Sequence, residues 1–230
     1  MDATRVRILR EVLSSTGWLD RTRTFARALR RSTEKEQSLL IVGTPDQEPW
    51  HFAAHLDDES RYSGFPGLSP TLVRWNPPAG APPHLAVGFS RLAAARPGET
   101  LFVVAPDAAP EALLDRVDDA RRIGATILTM DSGDKELESL AHESLIVPPQ
   151  GLIAPSDVEV MAVGMAEAGL FDFDLSAPGV SFDAVSHLVS TAAGEVDLVL
   201  PGSEASRRRG FRDRLGRLLE TIEGPNPRDD

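Results

Sequence analysis

The 230-residue chain contains no cysteine, which excludes disulfides, cysteine-ligated metal sites and thiol catalysis. It also lacks long hydrophobic runs. The opening residues MDATRVRILREVLSS have no continuous apolar segment of the kind a signal peptide needs, and no stretch approaches the roughly 20 apolar residues of a membrane span. We therefore expect a cytoplasmic protein with no membrane partner. At 41% hydrophobic residues, the chain can bury the core of one α/β domain with appendages.

Positive charge is scarce outside the two ends of the chain. Residues 1–37 carry nine Lys/Arg and five Asp/Glu, and residues 205–230 carry seven and five, whereas residues 38–204 carry eight against 25. An acidic body of this size repels the phosphate backbones of DNA and RNA. We therefore expect no nucleic-acid partner.

From residue 38 onward, short apolar runs alternate with segments of helical periodicity. The runs predict five β-strands at 38–43, 71–76, 100–105, 125–130 and 144–148. The helical segments between and after them are 48–61, 83–96, 110–124 and 135–143. Because each of the first four strands is followed by a segment of helix length, the pattern predicts a three-layer, doubly wound parallel sheet with helices on both faces.

Helical segments are also predicted on both sides of this core. The predicted organisation is N-terminal helices at 1–37, an α/β core at 38–148, C-terminal helices at 149–224 and a disordered tail at 225–230. The individual helices predicted outside the core are one within 3–15, 18–31, 156–168, 181–195 with Ser181 as its N-cap, and 203–224. We expect the C-terminal helices to pack on the core or on a second subunit.

The segment LFVVAPDAAPEALL (101–114) has the strand–loop–helix pattern that usually holds a phosphate in α/β proteins. Its loop, however, contains no glycine, serine, threonine or lysine. Asp107 would place a carboxylate near a phosphate dianion, and Pro110 has no amide to donate. Both residues are favourable for starting a helix, with Asp107 or a neighbour as its cap and Pro110 near its first turn.

Three strings, taken in order, resemble the phosphoheptose isomerase-like branch of the sugar isomerase (SIS) superfamily. They are LLIVGTPDQEPWHFAAHL (39–56), FVVAPDAAPEALL (102–114) and ARRIGATILTMDSGDKELESLAHESLIVP (120–148). The resemblance covers about residues 38–148. It implies a five-stranded parallel sheet flanked by helices, a homodimer associated through helices, and a protein partner or a small sugar-derived ligand.

The resemblance also identifies positions that would contact a ligand. The Ser-x-Ser-Gly-x-Thr/Ser phosphate loop of the family corresponds to Ala105, Asp107, Ala108 and Pro110, so the hydroxyl donors and the glycine are absent. The first loop retains one glycine, Gly43. The candidate ligand-binding residues are Gly43, Thr44, Ala105, Asp107 and Glu111.

His51 and His55 lie four residues apart on a predicted helix, so both face the same side, as two imidazoles that share a Zn²⁺ do. In phosphoheptose isomerases the matching helix is similar but has glutamate at the second position. The family also draws a histidine from a late helix, for which His187 is the candidate. The alternative is that His51 packs beneath the sheet beside Trp50 and Phe52, while His55 faces solvent.

Two functions follow from these features. The first is a non-catalytic SIS-like protein with a regulatory, ligand-binding or protein-interaction role and no cofactor. The alternative is a divergent phosphosugar aldose–ketose isomerase, in which a base moves a proton and a metal such as zinc stabilises the oxyanion. Its candidate catalytic residues are His51, His55 and His187, of which His51 and His55 are the metal candidates, with Glu48 and Glu111 as further carboxylates.

Overall fold

Five short apolar segments form one parallel β-sheet. The computed structural model describes residues 17–34, 38–148 and 178–195. The strands are β1 (Leu39–Val42), β2 (Pro70–Val73), β3 (Thr100–Ala105), β4 (Thr126–Asp131) and β5 (Glu143–Ile146). Each predicted strand overlaps an observed one, and helices cover both faces, so the predicted fold class is confirmed.

The strands lie in the order β2-β1-β3-β4-β5, and every neighbouring pair is parallel. The chain direction across the sheet therefore reverses between β1 and β3, where Leu39–Val42 pairs in register with Thr100–Val103. In open parallel sheets, ligands bind beyond the carboxyl ends of the strands at such a reversal. The loops that follow β1 and β3 are therefore the first places to look for a site.

Two helical layers cover the sheet. One contains α1, α2 and α5, and the other contains α3, α4 and the 3₁₀ segment Phe89–Ala94. The alternation of β1 accounts for the two layers, because Leu39 and Ile41 face the first layer whereas Leu40 and Val42 face the second. The helices are α1 (Trp18–Thr33), α2 (Trp50–Ser63), α3 (Glu111–Arg122), α4 (Lys135–Leu140) and α5 (Pro178–Gly194). Within the described ranges, no helix has the length and apolar character needed to cross a bilayer.

Helix α5 packs against both α1 and α2. Arg30 of α1 donates a hydrogen bond to the carbonyl of Ala193. On the other side, a Cβ atom added at Gly194 would lie within 1.9 Å of a Glu59 carboxylate oxygen of α2. A residue larger than glycine would therefore require the Glu59 side chain to move.

Two local predictions were wrong. The segment 83–96 is not an α-helix but contains the 3₁₀ segments Pro83–Leu85 and Phe89–Ala94, because the extended backbone of Gly88 interrupts it. Ser181 is not an N-cap, since α5 already begins at Pro178, a residue whose fixed φ favours the first helical position.

Some predicted helical segments and the predicted domain boundaries are not tested by the structure. The helices predicted within 3–15, at 156–168 and at 203–224, and the tail at 225–230, lie outside the described residues. The division of the chain into domains stays a prediction.

A buried carboxylate stabilises the amino-terminal edge of the sheet. Glu99, which precedes β3, accepts hydrogen bonds from the Ser38 hydroxyl, the Arg91 guanidinium at 2.6 Å and the Arg96 amide at 2.9 Å. Burial acts to raise the pKa of Glu99, but the hydrogen bonds from Ser38 and Arg91 outweigh it and hold the pKa below its usual value. The carboxylate therefore stabilises the fold most when it is ionised.

Replacing this carboxylate should weaken the fold in a pH-dependent way. We expect Glu99→Gln to lower the free energy of unfolding by about 1–3 kcal/mol at pH 6, since three hydrogen bonds to a charged acceptor are lost or weakened. The stabilising contribution of the Glu99 carboxylate is complete above its unfolded-state pKa and is lost as pH falls through its folded-state pKa. The difference in unfolding free energy between the parent and Glu99→Gln should therefore narrow between pH 5 and pH 3. Urea unfolding at several pH values measures this difference. The exposed Glu143→Gln is the matched control. A difference that does not change with pH would contradict the stabilising role of the ionised Glu99.

Candidate functional site

Three of the five histidines of the chain converge between α2 and α5. The Nε2 atoms of His51 and His55, on successive turns of α2, are 3.2 Å apart. The ring centroid of His187, on α5, lies 3.9 Å from that of His55 and 5.4 Å from that of His51. One nitrogen from each ring lies within 4.8 Å of the others. The alternative arrangement, in which His51 packs beneath the sheet and His55 faces solvent, is therefore wrong.

The apolar pattern of the two helices explains this convergence. Phe52 and Leu56 of α2 are buried in the core between the helices and the sheet, which leaves the neighbouring His51 and His55 on the side of α2 that faces α5. From Phe182 to Ser190, α5 is buried at every position except Asp183. His187 is consequently carried into the interior, where it is 7% exposed.

Burial disfavours the charged form of two of these imidazoles. The pKa of His187 is lowered to about 3, mainly by burial and also by the neighbouring His55 and His51. Burial is also the main reason why the pKa of His55 lies below its usual value, followed by the effect of His51, while Asp58 and Asp183 act in the opposite direction. At neutral pH, His187 and His55 therefore carry unprotonated nitrogens with available lone pairs.

The remaining two histidines have other environments. The Nδ1 of His142 accepts a hydrogen bond from the Ile127 amide at 2.9 Å, beside the start of β4. His84 is exposed on a 3₁₀ segment. Neither belongs to the group of three, so His84 can serve as a control position.

The loop between β1 and α2 is fixed by contacts from the chain that follows β2. The Trp75 indole donates to the Gly43 carbonyl at 2.9 Å, and the Trp75 amide donates to Glu48 at 3.1 Å. The other Glu48 oxygen lies 2.7 Å from the Arg74 guanidinium. A Cβ atom at Gly43 would lie 2.1 Å from the carbonyl oxygen of Gln47, so glycine is required here. The loop thus positions the start of α2, and Glu48 is already engaged.

Thr44 lies directly after Gly43 at the carboxyl end of β1. Its side chain is 3% exposed, and its hydroxyl oxygen has no hydrogen-bond partner. A buried hydroxyl without a partner carries a desolvation cost. Of the candidate ligand-binding residues, Gly43 and Thr44 therefore lie in the interior beside the start of α2.

The loop between β3 and α3 carries no hydroxyl or basic side chain that could donate to a phosphate. Ala105 ends β3 and is fully buried, whereas Asp107 and Glu111 are exposed. The Ala109 amide donates to a carboxylate oxygen of Asp134 at 2.8 Å. Pro110 is the N-cap of α3, and no side chain caps the helix, so the predicted capping by Asp107 or a neighbour is wrong.

Asp134 also connects this loop to the next one. Its second oxygen accepts from the amides of Glu136 and Leu137 and so caps α4. The Asp134 amide donates in turn to the buried Asp131, at the end of β4. Sequence reasoning missed this network, although an aspartate directly before the α4 segment was a detectable capping pattern. The carboxylate of Asp134 takes an amide that a bound anion would need.

No family model matches the chain, and no curated protein matches its sequence. Among solved structures, a candidate sugar-binding protein from Salmonella typhimurium LT2 is 13% identical with a TM-score of 0.46, over 90% of this chain and 54% of that one. NanR of Vibrio vulnificus, complexed with ManNAc-6P, is 12% identical with a TM-score of 0.44, over 94% and 69%. A hypothetical protein is 12% identical with a TM-score of 0.42, over 97% and 100%.

The chain spans about half the length of the first of these structures. At such low identities and TM-scores, the likenesses concern the general path of the chain and assign no ligand to it. The phosphoheptose isomerase-like branch remains a prediction from the sequence.

The neutral state of His187 should make the metal-free protein sensitive to mild acid. The pKa of His187 is about 3 in the folded chain and near 6.5 in the unfolded chain. Above pH 6.5 the imidazole is neutral in both states and does not change the stability. As the pH falls from 6.5 toward 3, only the unfolded chain takes up the proton, so the folded chain loses stability. We expect a loss of about 2 kcal/mol between pH 7 and pH 5. Urea unfolding of chelator-treated protein measures it. The loss should shrink in His187→Gln and persist in the exposed His84→Gln; an equal loss in both variants would refute the assignment.

Proposed function

We propose that this chain binds a divalent transition-metal ion of the zinc class through His51, His55 and His187, and through that ion a small oxygen-bearing molecule. The convergence of the three imidazoles between α2 and α5 carries the proposal. The sequence suggested either a non-catalytic ligand-binding protein or a phosphosugar isomerase. The proposal corresponds to the first of these, with a metal ion added. The proposed role is ligand binding rather than sugar-phosphate isomerisation.

The three side chains fit such an ion. Zinc–nitrogen distances near 2.1 Å in a tetrahedral site place the ligand nitrogens about 3.3 Å from one another. The observed separation of 3.2 Å between the His51 and His55 nitrogens is close to this value, and the third nitrogen lies within 4.8 Å. Three histidines leave a fourth position for an external ligand. When bound, the ion would act as a Lewis acid toward a hydroxyl or carbonyl oxygen.

The same ligand set argues against isomerase chemistry. An aldose–ketose isomerase needs a base that moves a proton between adjacent carbons. If His51, His55 and His187 hold a metal, their nitrogens are not available for this task. Glu48 is engaged by Arg74 and Trp75, and Glu111 lies exposed at the start of α3. The candidate catalytic residues therefore leave no well-placed base within the described ranges.

Metal content provides the direct test. We expect the purified chain to bind one equivalent of Zn²⁺, and His187→Ala or His51→Ala to weaken this binding by at least about 100-fold, since a ligand contributes more than the outer contacts that are worth 10–100-fold. Competition with a chromophoric chelator measures the affinity. His84→Ala, at an exposed position, should bind zinc like the parent.

The position of His55 allows a rescue experiment. We expect His55→Ala to lose zinc and His55→Glu to retain it, because a carboxylate oxygen can replace an imidazole nitrogen as a zinc ligand. Folding of each variant is checked by circular dichroism. Full zinc affinity in folded His55→Ala would contradict the assignment of this side chain.

The isomerase alternative has its own observable outcome. Incubating the zinc-loaded chain with aldose phosphates in D₂O would introduce deuterium at carbon 2 if a base exchanged that proton. We expect no exchange above the rate without protein. Exchange that disappears in His51→Ala would favour the isomerase over the function proposed here. The predicted homodimer is tested separately, by sedimentation of the full chain.

A further inference from the structure

We infer that the ligand held at the three-histidine site is uncharged, and that the surroundings of the site disfavour phosphorylated or otherwise anionic molecules. This inference rests on the proposed function, because it concerns the molecule that would fill the open position of the bound metal. Three separate observations support it.

Within the described residues, the charged side chains that share a helix face with these histidines are acidic. Asp58 lies three residues after His55 on α2, on the same side of the helix. Asp183 lies four residues before His187 on α5, and both carboxylates act electrostatically on His55. Both are exposed, and each lies on one of the two helices that form the site. A dianion that approached the metal would therefore meet two carboxylates that its own charge opposes, at a cost that depends on distance and screening.

The loop after β3 offers an anion no hydroxyl or cationic side chain. Pro106 and Pro110 have no amide hydrogen, and the Ala109 amide already donates to Asp134. The exposed acids Asp107 and Glu111 flank the loop. A phosphate group in this loop would be repelled by both carboxylates, whereas a neutral hydroxyl-bearing molecule would not.

The loops along the carboxyl-terminal edge of the sheet also carry a net negative charge. The six residues that follow each of β1 to β4 contain six acids and two bases. Arg74 pairs with Glu48 at 2.7 Å, and Lys135 pairs with Glu138 at 3.0 Å. Neither base is left to neutralise an incoming anion. Fields of this kind lower the local concentration of anions and raise that of cations.

A matched pair of metal-binding probes tests the inference on the full chain. Acetohydroxamic acid and phosphonoacetohydroxamic acid share the hydroxamate group that binds a metal, but only the second carries an anionic phosphonate. Zinc content is measured first. Titration calorimetry with the zinc-loaded chain at low salt should then show the phosphonate compound binding about tenfold more weakly, and the difference should shrink as salt is added.

Variants identify the source of the difference. The double variant Asp58→Asn, Asp183→Asn should reduce the ratio between the affinities for the two probes by at least about threefold. Its affinity for acetohydroxamic acid should be retained. The exposed Asp115→Asn on α3 is the control and should leave the ratio unchanged.

Each other outcome is decisive. Equal binding of the two probes, or tighter binding of the phosphonate compound, would overturn the inference. Failure of both probes to bind a zinc-loaded chain would show that the metal has no open position, which also overturns it. A chain that takes up no zinc would instead contradict the proposed function and remove the basis of the inference.

Discussion

The burial of α5 against α1 and α2 is the constraint on which the site depends. Since α5 is buried at nearly every position from Phe182 onward, its one histidine must lie in the interior. A buried imidazole needs a polar partner, because its desolvation is otherwise uncompensated. Its two neighbours are His51 and His55, whose helix is fixed by the contacts of Trp75 with Gly43 and Glu48. Packing, rather than a local motif, therefore assembles the three nitrogens.

The strand order reverses between β1 and β3, and the loops on the two sides of this point differ in their chemistry. On the β1 side, the chain enters α2 and contributes His51 and His55. On the β3 side, the Asp134 carboxylate accepts from the Ala109 amide and, at the same time, caps α4. A carboxylate held by three amides is strongly stabilised in place. An external phosphate would have to displace this internal anion before it could use the loop.

The sequence predicted the strands well and the connections less well, for physical reasons. Buried parallel strands are continuous apolar runs, so TLFVVA and ATILTM are identifiable without a structure. Gly124 follows α3 with a positive φ of +97°, a backbone conformation that glycine commonly adopts where a helix ends. Segment 83–96 has helical composition, but its backbone is extended at Gly88, which separates two short 3₁₀ segments. The spacing of His51 and His55 predicted a shared face, whereas the approach of His187 depends on tertiary packing that one sequence does not encode locally.

The acidic surroundings and the neutral histidines are parts of one electrostatic arrangement. His187 resists protonation, since burial and the neighbouring imidazoles both oppose a charge on it. A divalent cation bound to nitrogen lone pairs avoids that penalty, and the nearby Asp58 and Asp183 favour its positive charge. The same carboxylates oppose a phosphate dianion. Among the described residues, the carboxylates that act on His55 would thus favour a cation with an uncharged ligand, whereas the loop from Pro106 to Pro110 provides no cationic or hydroxyl side chain for a phosphosugar.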